Sequence, residues 1–118
     1  MPEVDITDRS FEFAVRVVKL CRFLEKDGNV SRTLANQLLR SSTSIGANIE
    51  EAQGSISKAD FTNKIYIACK EARESKYWLR LLKETEVIQE SRIKDLLDES
   101  TELVAILTAI TKKSRTNQ

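Results

Sequence analysis

The sequence predicts an all-α protein, an antiparallel up-down-up-down four-helix bundle. Apolar residues recur at intervals of three and four through four separate stretches, the period of a helix with one buried face. Breakers are scarce, with 3 Gly and 1 Pro in 118 residues, and Gly28 and Gly54 fall between periodic stretches. The connections are only a few residues long, which makes consecutive helices run antiparallel. The length fits one domain, residues 1–118. Aromatics at 6% and the prevalence of Ala, Leu, Ile, Lys, Glu and Arg also suit helices better than sheets.

Residues 1–7 read as a short arm, and Asp8 or Ser10 as the cap of a first helix over about 9–26. Phe13, Val17, Leu20 and Leu24 form its buried row. Phe11, Ala14, Val18 and Cys21 form an adjoining one, so this helix is expected to meet more than one neighbour. Gly28 can take a left-handed conformation after it. Ser31 reads as the cap of a second helix over about 32–53, with Leu34, Leu38, Ile45, Ile49 and Ala52 as its stripe. Ser41 to Ser44 resemble a loop in composition, but periodicity on both sides makes them helical. Gly46 costs a helix interior roughly 1 kcal/mol relative to Ala. Ser42, Gly46 and Ala47 together would admit a close helix neighbour.

The third helix, about 58–84, is capped by Ser57 with Asp60 at its third position, an acidic capping box. Ile56 and Phe61 have the spacing of a hydrophobic staple. Phe61, Ile65, Ala68, Ala72, Ser75, Leu79 and Leu82 then form a heptad seam with a small-residue middle. After a connection over 85–90, Ile93, Leu96, Ser100, Leu103, Leu107 and Ile110 define a fourth helix over about 92–113, with a polar, fraying tail.

Composition narrows the function. A net charge of +1 gives no global support for a dedicated nucleic-acid binder, while leaving room for a local patch. The chain has no His and 2 Cys, too few for the usual structural zinc site. Cys21 and Cys69 read as free thiols of a reducing cytoplasm. The acidic opening MPEVDITDRS is unlike a signal peptide. No apolar run approaches the roughly 20 residues of a membrane span. Serines without a histidine base give no nucleophilic triad, and isolated glycines give no phosphate loop. No enzyme activity, cofactor or metal is expected.

The segments LLRSSTSIGANIEEAQG and FTNKIYIACKEARESKYWLRLL resemble the bacterial four-helix-bundle proteins of the 23S rRNA intervening-sequence protein family. Arg40, Ser44-Ile45, Asn48-Ile49, Glu51 and Gly54 carry the likeness in the first segment. Phe61, Glu71-Ala72 and Tyr77-Trp78-Leu79 carry it in the second. The resemblance covers nearly the whole chain. It implies a cytoplasmic bundle assembled as a homopentamer. It also implies a likeness to the accessory variability determinant of diversity-generating retroelements, which binds nucleic acid and a reverse transcriptase. No catalytic motif comes with it.

Three groups of residues are candidates for function. Arg16, Lys19, Arg22 and Lys26 share one face of the first helix. They lie in a region, 9–40, with seven basic side chains against three acidic ones, while Asp95, Asp98, Glu99 and Glu102 make the fourth helix acidic. Such a row is either an ordinary solvated face or a phosphate-binding stripe that a ring would repeat. Arg40, Asn48, Glu51, Glu71 and Glu74 lie beside the apolar stripes of two helices. They read as a structural polar network rather than a pocket. A carboxylate-dependent hydrolase would need a metal near Glu51 and Glu71, and the Glu-x-x-His pairs of di-metal bundles are missing. Tyr77 and Trp78, off the seam, and the second apolar row of the first helix either complete the monomer core or form a subunit interface, where Trp and Tyr are favoured. The sequence therefore points to a non-enzymatic, self-associating bundle with RNA or DNA as partner. The alternative is a protein-binding scaffold without nucleic-acid affinity.

Overall fold

The computed structural model describes residues 5–116. Its elements are α1 (Ile6–Leu24), a 3-10 turn (Glu25–Asp27), α2 (Asn29–Gln53), α3 (Lys58–Glu84) and α4 (Glu90–Thr116). No strand occurs among the described residues. Side-chain partners fix the topology, because numbers rise on one helix as they fall on the next. Cys21 lies at Ala35 and Ser10 at Gly46 between α1 and α2. Ser41 lies at Ser75 and Glu51 at Lys64 between α2 and α3. Thr62 lies at Ser114 and Cys69 at Thr108 between α3 and α4. Arg9 at Glu99 closes α1 on α4. Each neighbouring pair is antiparallel, as the up-down-up-down bundle requires.

The helix starts differ from expectation in ways the packing explains. α1 begins at Ile6, capped by Asp5, whose carboxylate accepts from the Thr7 N–H at 2.9 Å. Neither Asp8 nor Ser10 is the cap. Half-buried Ile6 packs on the core, which favours an added first turn. The arm expected over 1–7 is thus helical from residue 6, and residues 1–4 lie outside the described ones. α2 begins at Asn29, and Gly28 precedes it with φ 119° and ψ −179°. That conformation is positive in φ but extended in ψ, a region open in practice to glycine alone. Ser31 is no cap; its hydroxyl donates to Asp27 Oδ2 at 2.8 Å. Within α2, Ala35 is buried and Leu34 only half-buried.

Ser57 does cap α3, accepting from the Asp60 N–H at 3.0 Å. The staple does not form, because the bend before the helix turns Ile56 outward and leaves it 96% exposed. The heptad seam is buried throughout apart from half-buried Phe61. In the next connection Ile88 is buried and plugs the bundle end, while Glu86 takes a positive φ of 55°. α4 runs on to Thr116, since Thr111 and Ser114 are buried against α3 and hold the tail in helix. Residues 117 and 118 of the expected fraying tail lie outside the described residues.

The core combines Leu, Ile, Val and Phe13 with a polar minority. Each fully buried large aliphatic contributes about 1.5–3 kcal/mol. Ser41 and Ser75 share a hydrogen bond of 2.8 Å, and Ser42 donates to Ser75 at 3.1 Å. Small hydroxyls thus let α2 and α3 approach while satisfying one another. Gly46 faces α1, where an added methyl would lie 3.5 Å from Ser10 Oγ, an ordinary contact. Ala47 is exposed. The small residues therefore do not form one close-approach face: Ser42 serves α3 and Gly46 lies beside α1.

Candidate nucleic-acid interface

Helical periodicity places Arg16, Lys19 and Arg22 away from the buried row of Phe13, Val17, Leu20 and Leu24. Lys19 and Arg22 are exposed and Arg16, at the border of the core face, is half-buried. Lys26 is exposed in the 3-10 turn, one turn beyond Arg22. None of the four makes an ion pair among the described residues. Other cations of the basic region are already engaged. Arg9 Nε donates to Glu99 Oε2 at 3.0 Å, and its Nη2 lies 3.3 Å from Glu102. The hydrogen bond to Glu99 raises the Arg9 pKa above its ordinary value. Arg40 pairs with Glu71 and Glu74. Arg32 bonds only the Asn29 side chain, so it and the four stripe residues are the cations of region 9–40 that have no carboxylate within ion-pair distance among the described residues.

Phe23 belongs to the same face and was not among the sequence candidates. It is 47% exposed, and the Arg92 guanidinium of α4 stacks over its ring at 4.3 Å from the centroid. Helical spacing sets Phe23 beside Lys19 and Lys26. The signal in the sequence was an aromatic at an outward position within a basic row. Arg92 could be found only from the fold, since it arrives from another helix. An aromatic ring among cations is the combination that contacts bases and phosphates together.

The five residues of the polar network divide into separate contacts. Arg40 reaches Glu71 at 3.4 Å and also Glu74, and Glu74 accepts from Trp78 Nε1 at 2.9 Å. Asn48 instead donates to the Ser44 carbonyl of its own helix at 2.8 Å. Glu51 binds Lys64 at 2.8 Å. Glu51 and Glu71 each face their own cation, and Lys64 and Glu71 stand about 10 Å apart along α3. No group of three or more potential metal-ligating side chains occurs among the described residues.

Tyr77 is 54% exposed and meets Trp78 edge to face, with centroids 5.0 Å apart. Trp78 is half-buried with its indole N–H engaged, so Tyr77 is the more available of the two. On α1, Phe11 is 65% exposed, Ala14 and Val18 are half-buried, and Cys21 is buried. Burial pushes the Cys21 thiol up to about 11, and its Sγ donates to the Ala35 carbonyl at 3.3 Å. No helix of the described residues is long and apolar enough to cross a membrane.

A family described as 23S rRNA-intervening sequence protein matches residues 2–109. A solved structure from Bacteroides thetaiotaomicron, described as a protein with unknown function from the S23 ribosomal protein family, is 46% identical. It covers 92% of this chain and 99% of its own, with a TM-score of 0.84. No curated protein matches the chain.

Proposed function

This chain belongs to the 23S rRNA-intervening sequence protein family, and from that premise we propose that it is a non-enzymatic, self-associating bundle that binds RNA. The carrying observation is the unpaired stripe Arg16, Lys19, Arg22 and Lys26 with Phe23 set among its cations. Cations without carboxylate partners release counterions when they meet phosphate, so affinity depends steeply on salt. The family name refers to an intervening sequence of 23S rRNA and names no bound partner, so RNA is the polymer to test first. Self-association in a ring of five would repeat the stripe and multiply weak contacts. Tyr77 and Phe11 are the most exposed of the four exposed aromatics, and such an assembly would cover them.

The test is RNA binding at low and moderate salt by the wild type and by the Arg16→Glu/Lys19→Glu/Arg22→Glu variant. Salt-sensitive binding that collapses in the variant supports the reading. Binding unchanged by the reversal refutes the site, and no binding at low salt refutes the role. The alternative is a protein scaffold without nucleic-acid affinity, which recovery of a defined stoichiometric protein partner after nuclease treatment would establish.

A further inference from the structure

A second cationic site lies outside the stripe, in a groove of about 380 Å³ between α3 and α4. Lys70 and Arg73 line it from α3, and Lys112 and Arg115 from α4. Tyr66, Cys69, Thr108 and Thr111 complete the lining, which contains no carboxylate. We infer that this groove binds a phosphate-class oxyanion.

The charge balance around the groove carries the inference. α4 has no acidic residue between Leu103 and Thr116. On α3, Glu71 and Glu74 are engaged by Arg40 of α2, although Glu74 follows Lys70 by one helical turn. None of the four groove cations has an ion-pair partner among the described residues. The negative end of the α4 dipole accounts for cations near Thr116, but not for Lys70 and Arg73, which lie midway along α3. That dipole end amounts to about half an elementary charge, well below the summed charge of the cations around the groove.

The cations are also held in place. Lys70 Nζ lies 5.6 Å and Arg115 Cζ 4.8 Å from the centroid of the Tyr66 ring, within cation–π reach. Arg73 donates to Thr108 Oγ1 at 3.4 Å, and Cys69 Sγ lies 3.4 Å from the same oxygen. One aromatic ring and one hydroxyl thus tether three cations toward a shared concavity. Their ordering cost is partly met before a ligand arrives. The volume lies near the lower end of small-ligand pockets, about 300–1,000 Å³. It suits a phosphate or pyrophosphate group, free or as part of a nucleic-acid strand.

The experiment titrates the full chain with inorganic pyrophosphate and, separately, with a single-stranded uridine oligonucleotide at low salt. The variants are Lys70→Gln/Arg73→Gln, Lys112→Gln/Arg115→Gln and the α1 charge reversal. All four groove cations are exposed, and circular dichroism checks that each variant folds. Pyrophosphate binding weakened about tenfold or more by either groove variant, and unchanged by the α1 reversal, supports a site for free phosphate compounds. Oligonucleotide binding weakened similarly by the groove variants, with no pyrophosphate binding, supports a strand as the source. Binding of neither probe, or binding that the groove variants leave unchanged, overturns the inference. Loss through the α1 reversal alone would leave the RNA role standing and remove this site.

Discussion

Ser75 holds the hydroxyls of Ser41 and Ser42 at the centre of the α2–α3 contact, where all three residues are fully buried. Replacing it with Ala leaves Ser41 its bond to the Leu38 carbonyl but strips Ser42 of its acceptor. Ser75→Ala should destabilise the protein by about 1–3 kcal/mol, the range for an unsatisfied buried hydroxyl, measured by chemical denaturation. Cys21 makes a pH prediction. The folded thiol keeps its proton to about 11, whereas the unfolded thiol ionises near 9.0. The folded state therefore binds more protons between those values, and stability falls as pH rises through that window. Below 9.0 this contribution is fully present. Denaturation across the window should show the decline in the wild type and a weaker one in Cys21→Ala.

Among the elements, α1 meets α4 through the shared apolar core and through polar contacts at Arg9. Arg9 binds Glu99 through two nitrogens, at 3.0 and 2.5 Å, and both side chains are largely shielded. Arg9→Ala should cost about 1–2 kcal/mol and lower amide-exchange protection in α1 before α3. Exchange lost equally from all helices would contradict a local role. The element pattern was legible in the sequence where burial decided it: the α3 seam runs from Phe61 to Leu82 as the heptad spacing requires. Helix starts were less legible, because capping residues compete. Asp5 outcompeted Asp8 once Ile6 found the core, and Gly28 rather than Ser31 opened α2. The candidate sites followed the same rule. The α1 stripe was visible from spacing on one helix. The Phe23–Arg92 stack and the α3–α4 groove join residues from different helices, and only the fold brings them together.

For the whole molecule, near-neutrality conceals segregated charge. Carboxylates of α4 pair with Arg9 and Lys94 and those of α3 with Arg40, while cations of the α1 stripe and the α3–α4 groove make no ion pair among the described residues, nor does Glu12 on the stripe's own face. A net charge of +1 therefore says little about what the surface offers a phosphate. Self-association makes a separate prediction: light scattering should give a mass near five times 13.4 kDa, and Tyr77→Glu should lower it. An unchanged assembly in that variant would remove Tyr77 from the interface. The RNA-binding reading is tested most directly by fluorescence anisotropy of a labelled RNA across a salt series. The wild type should bind with affinity that falls steeply with salt, and Arg16→Glu/Lys19→Glu/Arg22→Glu should abolish binding while remaining folded. Equal affinity and equal salt dependence in the two proteins would contradict it.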